Sequence, residues 1–225
     1  MSDALPPHPL AEAPRRARGR PRKTADERDD GNRRQDLLRA AARLFRTQGF
    51  AATSTRDIAT AAGMRSGSPF YHFDNKEALL AAVMQEGMVS AAARQAEAMQ
   101  RATAPLKRGQ ALTAREALRV LVRNHFEVLL GPDSDFIPVM LYEWRSLSET
   151  ERIEVKRLKD AYEAVWVPVL QALQGSGELQ GDPALSRLMI FGALNWSVQW
   201  YDPRRSASLD DLTEAALQLF LKELA

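Results

Sequence analysis

Residues 54–80 contain the pattern that most constrains the fold of this chain. Ser54 and Asp57 have the spacing of a capping box, which marks the start of a short helix. Gly63 then allows a tight turn, and residues 66–73 are predicted to form a second short helix before the capped start of a third. This order predicts a helix-turn-helix, a unit that places its second helix in the major groove of DNA.

The rest of the chain is predicted to be helical as well, because its apolar residues recur at helical spacing between capping residues and glycine or proline breaks. No strand pattern and no internal repeat is present. The expected helices cover about 32–48, 75–100, 114–130, 134–146, 148–173 with a kink at Pro168, 183–201 and 209–224. The fold class is therefore all-α.

Residues 1–30 are predicted to be a disordered basic arm, because they are rich in proline and poor in large apolar groups. The run 18–23 resembles an AT-hook, whose slim extended backbone enters a narrow minor groove. Residues 1–80 carry 15 basic and 10 acidic side chains, against 16 and 19 in the remainder. The arm residues expected to contact DNA are Arg18, Arg20, Arg22 and Lys23. The alternative is a tail that only keeps the chain soluble.

Several functional classes are disfavoured by composition. The chain has no cysteine and only three histidines, His8, His72 and His125, in unrelated segments. It shows no glycine-rich phosphate loop after a strand and no pair of metal ligands at helical spacing. We therefore expect no catalysis, no metal and no cofactor. No apolar run approaches the roughly 20 residues that span a bilayer, and no secretory signal is evident, so a cytoplasmic protein is expected.

Residues 33–80 resemble the amino-terminal domain of TetR-family transcriptional regulators. The resemblance is carried by Asp57-Ile58-Ala59, Ala62-Gly63, Gly67-Ser68, Tyr71-His72-Phe73 and Lys76-Glu77-Ala78-Leu79-Leu80. It implies a homodimer of nine-helix subunits that binds a double-stranded operator of two-fold symmetry. It also implies that a small-molecule effector in the carboxyl-terminal domain weakens DNA binding. The expected division is a helix-turn-helix domain at 31–78 and a ligand-binding and dimerisation domain at 79–225.

The DNA-binding candidates lie at the helix ends of the predicted motif. Side chains at the amino end of the recognition helix reach base edges, and arginine there can bind guanine through two hydrogen bonds. By the family resemblance, Tyr71 and His72 contact phosphates. Compared with the family, Arg65, Ser66 and Pro69 are departures, so the base-reading pattern is expected to be individual to this protein. The candidates are Thr55, Arg56, Arg65, Ser66, Gly67, Ser68, Tyr71, His72 and Lys76.

Large aromatic and a few polar side chains in the second half of the chain suit a site for a mostly apolar ligand with a polar or anionic head. The stretches 142–145 and 191–201 resemble TetR-family members that sense CoA thioesters, so an acyl-CoA is the expected effector. Core packing is the alternative for each aromatic. The ligand-binding candidates are His125, Phe126, Tyr142, Trp144, Arg145, Tyr162, Trp166, Asn195 and Trp196.

The helix predicted at 183–201 has apolar residues on every side, and such a helix requires burial all round. Pairing it and the last helix with their copies would give an isologous four-helix interface, which the family resemblance also implies. The interface candidates are Phe191, Trp200, Leu212, Leu219 and Phe220. A core within one subunit is the alternative.

Two other functions remain open on the sequence alone. A nucleoid-type architectural protein would use the arginine arm to bind A·T-rich DNA with little sequence preference. A TetR-type activator would share every motif named above, although the family habit favours a repressor.

Overall fold

The computed structural model describes residues 25–64, 72–132, 134–205 and 207–223, with the side chains of 25–31 excepted. These residues form helices and connecting turns, with no strand among them. The helices are α1 (Ala25–Gln48), α2 (Thr55–Ala61), α3 (Lys76–Thr103), α4 (Ala114–Leu130), α5 (Phe136–Glu143), α6 (Glu149–Ala164), α7 (Trp166–Gly175), α8 (Pro183–Trp196) and α9 (Leu209–Phe220). The all-α prediction is confirmed.

Local capping explains where most of these helices begin. The predicted capping box of Ser54 with Asp57 opens α2, and further boxes open α4, with Thr113 and Glu116, and α6, with Ser148 and Glu151. In each box the side chains and amides exchange hydrogen bonds, which satisfies amide donors that have no partner within the helix. Asn75 caps α3, Asp182 caps α8 with Pro183 in its first turn, and Ser208 with Asp211 opens α9.

The helix α3 lies at the centre of the molecule. Its first turns pack on α1, and its later turns pack on α4, α5 and α6. The apolar stripe predicted for it, from Leu79 to Met88, is buried throughout. Buried residues of the amino-terminal part and of the body form one contiguous core through this helix. We call α1, α2 and the segment that leads into α3 the head, and α4–α9 with the rest of α3 the body.

The segment expected to form one helix over 148–173 is two helices, α6 and α7, and they separate at Val165. The predicted kink lay at Pro168, but a proline ring clashes with the carbonyl four residues earlier, here that of Ala164. The helix therefore ends before the proline instead of bending at it. Pro168 lies in the first turn of α7, where a missing amide donor costs little.

Other boundaries differ by shorter distances. The helix α1 begins at Ala25 instead of near Asn32, so it includes the last residues of the predicted arm. Its first turns are polar and carry several acidic residues, which favour a helix amino terminus without producing an apolar period. α8 ends at Trp196 and continues as a 3-10 turn over Ser197–Gln199, and α9 ends at Phe220. Arg18, Arg20, Arg22 and Lys23 lie outside the described residues.

The close contact between α3 and α5 generates a prediction at Gly87. A methyl group on Gly87 would lie 2.8 Å from the Phe136 Cβ atom. Gly87→Ala should therefore lower the free energy of unfolding by about 1–3 kcal/mol, the usual cost of overpacking. Gly175→Ala is the control, because no atom lies within 4 Å of its added methyl group. Urea unfolding at one fixed protein concentration measures both, and equal stability of the two variants would contradict the assigned packing.

Candidate functional site: the head and the effector pocket

The helix-turn-helix geometry is present up to the start of the recognition helix. The Ser54 hydroxyl and amide donate to the Asp57 carboxylate at 2.6 and 3.0 Å, and these hydrogen bonds hold the pKa of Asp57 below its usual value. Gly63 has a φ of +69°, a conformation that favours glycine. The turn thus directs the chain away from α2 towards the segment that is expected to read DNA.

The DNA-binding candidates fall into two groups. Thr55 and His72 are half-buried and Arg56 is exposed on α2. They flank the turn, as the helix-turn-helix prediction requires. The remaining candidates of the motif lie outside the described residues: Arg65, Ser66, Gly67, Ser68 and Tyr71.

The Lys76 side chain contacts the loop between α1 and α2. Its ammonium donates to the carbonyl oxygens of Phe50 and Thr53 at 2.9 and 3.0 Å, and it lies 4.2 Å from the centre of the Phe50 ring. These contacts tie the loop between α1 and α2 to the start of α3. The charge of Lys76 is thus used inside the head, and its expected contact with DNA stays a prediction.

Two contacts that sequence reasoning missed join the head to α5. The Phe50 amide donates to the Glu143 carboxylate at 2.9 Å, and Arg46 forms a 2.8 Å salt bridge with Asp135. Asp135 precedes α5 and Glu143 ends it, so the head is attached at both ends of this short helix. The partners are 89 and 93 residues apart in the chain, and no local pattern indicates such pairs.

A small cavity lies in the body between α3, α4, α5, α6 and α8. Its volume is about 30 Å³, enough for roughly one water molecule. Apolar side chains form most of the wall, and Lys159 and Glu163 lie at one side. The lining residues are Met88, Ala91, His125, Val128, Ile137, Met140, Lys159, Tyr162, Glu163, Phe191 and Asn195.

His125 is at the centre of a buried hydrogen-bond chain at this cavity. Its Nδ1 lies 2.9 Å from the Tyr162 hydroxyl, and its Nε2 lies 3.0 Å from the Asn195 side-chain oxygen. Because an amide oxygen only accepts, Nε2 carries the proton and Nδ1 accepts from Tyr162. Burial lowers the pKa of His125 to about 4 and raises the pKa of Tyr162. The imidazole is therefore neutral at pH 7.

Gln95 extends this chain and was missed from the sequence. Its amide nitrogen donates to the Tyr162 backbone oxygen at 3.1 Å, and its oxygen accepts from the Trp166 indole at 2.9 Å. A single glutamine in a helix does not alter the spacing of the apolar residues, so the sequence does not indicate that Gln95 is buried. Trp166 itself is fully buried and packs at the edge of His125, outside the cavity lining. The ligand-contact prediction for Trp166 is corrected to a supporting role.

Three more candidates differ in place. Phe126 is buried in the core and does not line the cavity. Trp196 has 65% of its surface exposed and does not line the cavity, so its ligand role stays a prediction. Phe191, predicted at the dimer interface, is 7% exposed and packs edge-on against His125 with ring centres 5.0 Å apart. It belongs to the pocket wall.

A surface groove adjoins the cavity and contains the remaining ligand candidates. It has a volume of about 390 Å³ and is lined by Met140, Leu141, Tyr142, Trp144, Arg145 and Lys159. Met140 and Lys159 line both the groove and the cavity, so the two spaces meet at these side chains. The structure thus brings Tyr142, Trp144 and Arg145 together beside His125, Tyr162 and Asn195.

The other face of α8 is apolar and exposed. The exposed large side chains on α8, on the turn that follows it and on α9 are Leu185, Leu188, Met189, Trp196, Trp200 and Leu219. Among the interface candidates, Trp200 and Leu219 belong to this face, whereas Leu212 and Phe220 are half-buried against the core of their own subunit. No helix of the described residues is both long and apolar enough to cross a bilayer.

Comparisons with known proteins agree with this architecture. Residues 37–83 match the profile described as bacterial regulatory proteins of the tetR family, and residues 111–224 match the tetracyclin repressor-like C-terminal domain. The chain therefore belongs to the TetR family of bacterial transcriptional regulators.

Individual relatives resemble the chain over most of their length. The transcriptional repressor KstR2 of Rhodococcus jostii is 29% identical over 205 residues, which cover 89% of this chain and 95% of KstR2. The crystal structure of the superantigen PfiT has a TM-score of 0.69 at 36% identity, covering 84% of this chain and 96% of PfiT. FadR of Bacillus subtilis in complex with stearoyl-CoA has a TM-score of 0.63 at 25% identity, covering 82% and 96%.

The placement of Lys76 predicts a stability effect. Lys76→Met leaves two carbonyl oxygens without their charged donor, so the free energy of unfolding should fall by about 1–3 kcal/mol. Lys107→Met, at an exposed position, is the control and should change little. Thermal and urea unfolding measure the difference. If Lys76→Met instead keeps full stability and only weakens DNA binding, the phosphate role expected from the sequence is supported.

The buried imidazole predicts a pH dependence of stability. The folded-state pKa of His125, about 4, is below the unfolded value of 6.5, so the unfolded chain takes up the proton first as the pH falls. Stability is therefore lost progressively below pH 6.5, and between pH 7 and 5 this group accounts for about 2 kcal/mol. His125→Gln should remove that part of the loss, as measured by urea unfolding at both pH values. An equally steep loss in the variant would show that His125 is not the group responsible.

Proposed function

We propose that this protein is a dimeric transcriptional repressor that leaves its operator when a CoA thioester binds the body. The observation that carries the proposal is that the cavity and the surface groove share Met140 and Lys159 in their walls. The cavity is mostly apolar, and the groove carries aromatic and cationic side chains. A ligand with an apolar chain and an anionic, ring-bearing head fits this pair of spaces.

The chemistry of the groove suits the nucleotide part of coenzyme A. Tyr142 is half exposed, and its hydroxyl is held at 2.8 Å by the Gln199 amide, so its ring offers a surface for stacking. Trp144 lines the same groove. Arg145 and Lys159 supply charged donors, and phosphate oxygens form stronger hydrogen bonds with such donors than with neutral ones.

The relatives support the same effector class. The FadR structure named above contains stearoyl-CoA, and the fatty acid metabolism regulator protein of Bacillus subtilis is 26% identical to this chain over 188 residues. The acyl group bound by the present protein is expected to enter the cavity beside Met88 and Met140.

Ligand entry must enlarge the cavity, because about 30 Å³ does not hold an acyl chain. Methionine side chains adopt many shapes at little cost, so Met88 and Met140 are the wall residues that yield first. Met140 and Ile137 belong to α5, and the ends of α5 hold the head through Asp135 and Glu143. Displacement of α5 by the ligand therefore moves the head and alters its fit to DNA. The ligand shifts the equilibrium between the original and the displaced position of α5 only by the difference in its affinity for the two states.

The dimer in this proposal forms through the exposed apolar face of α8 and α9. A contiguous face of this kind on a soluble chain marks an interaction surface. Two copies related by a two-fold axis would cover it with the same residues from each subunit, as an isologous interface requires. Trp200 and Leu219 remain interface residues in this proposal, and Trp196 joins them.

The proposal is tested with DNA fragments retained from sheared genomic DNA and with palmitoyl-CoA. Palmitoyl-CoA should raise the melting temperature by mass action and should release the labelled fragment in an anisotropy titration. Arg145→Ala should weaken palmitoyl-CoA binding about 10- to 100-fold, the effect of one charged hydrogen bond. Arg152→Ala, exposed on α6, is the matched control. Operator affinity that stays constant across thioesters from acetyl-CoA to stearoyl-CoA would contradict the proposal.

A further inference from the structure

A buried carboxylate lines the cavity, one helical turn from Lys159, whose side chain lines both the cavity and the groove. The Glu163 side chain on α6 is only 8% exposed and lines the cavity. One of its oxygens accepts from the Lys159 ammonium at 2.7 Å, and the other pairs with the Arg187 guanidinium of α8. Both oxygens of the carboxylate are thus occupied by cations, and the Arg187 pair joins α6 to α8.

The two cations are the groups that an anionic ligand would seek. Lys159 lines the groove as well as the cavity. Its side chain is about one-third exposed, and this partial burial lowers the pKa of Lys159. A cation in such a place gains more from a neighbouring anion than an exposed cation does. In the structure the nearer anion is Glu163, at 2.7 Å, and the exposed Asp160 carboxylate lies 3.8 Å away.

We propose that Glu163 is an internal competitor of the effector, and that it restricts the site to ligands with a diphosphate or several phosphates. This inference rests on the proposed function and names the feature of the effector that decides its acceptance. The anionic part of the ligand displaces the Glu163 carboxylate from Lys159, and the pair that joins α6 to α8 loosens as it does so.

The ligand needs several negative charges because it must replace Glu163 as the partner of Lys159. A ligand with one carboxylate would replace one singly charged partner of Lys159 with another, and would leave Glu163 buried without its full set of donors. A diphosphate brings more charge and more acceptor oxygens, so it repays the separation of Glu163 from its partners. Free fatty acids are therefore excluded by the charge of the protein, although their chains would suit the enlarged cavity as well as those of acyl-CoAs do.

Glu163→Gln tests the proposal, with Glu154→Gln as its control. Glu154 is also on α6 and pairs with Arg157 at 2.7 Å, but it is well exposed and away from the cavity. Palmitoyl-CoA and palmitate are titrated calorimetrically into the wild-type protein and both variants. Glu163→Gln should lower the Kd for palmitoyl-CoA about tenfold, the effect of about one charge-assisted interaction, and should make palmitate binding measurable. Glu154→Gln should behave as the wild type with both ligands.

A Kd for palmitoyl-CoA that is unchanged or higher in Glu163→Gln overturns this inference. If the wild-type protein binds palmitoyl-CoA in the same experiment, the proposed function stands. Failure of both wild type and variant to bind any thioester overturns the proposed function and this inference with it. Arg187→Gln keeps the test decisive should Glu163→Gln unfold. With one cation removed and Glu163 retained, palmitoyl-CoA should bind more weakly, and unchanged affinity would count against the competitor role.

Discussion

The burial of α3 is the constraint on which the rest of this structure depends. A helix of 28 residues is about 42 Å long, and this one is buried against α1 at its start and against α4, α5 and α6 farther on. Since the head and body share that helix, neither can repack without altering the other. The close approach at Gly87 fixes the distance between α3 and α5 in the same way. The cavity and the head attachments are both set by that distance.

The hydrogen-bond chain of Gln95, Tyr162, His125 and Asn195 lies within the apolar core. Burying these polar groups costs free energy that an apolar core would not require. Each buried polar group needs a partner, and the chain supplies one by linking α3, α4, α6, α7 and α8. A fully satisfied network of this kind fixes one arrangement of the helices. It thereby gives one side of the cavity a definite shape, while the methionine side remains deformable.

Sequence reasoning predicted the helix starts well, because capping depends on hydrogen bonds between residues three positions apart. It placed the helix break at Pro168 too late, since the clash of proline is with a residue one turn earlier. It did not distinguish the buried Phe191 from the exposed Trp196, because α8 is apolar all round and has no period that separates inside from outside. The roles of Lys76, Glu143 and Glu163 depend on partners brought close by folding, so no local pattern could have shown them.

The attachment of the head at both ends of α5 restricts the movements that can be transmitted. Arg46 with Asp135 and Phe50 with Glu143 form two fixed points separated by the length of this helix, roughly 12 Å. With two fixed points, a tilt of α5 rotates the head. With one fixed point, α5 could tilt without rotating the head. Substitutions that break either attachment would thus leave ligand binding and DNA binding intact, but ligand binding would no longer release the DNA.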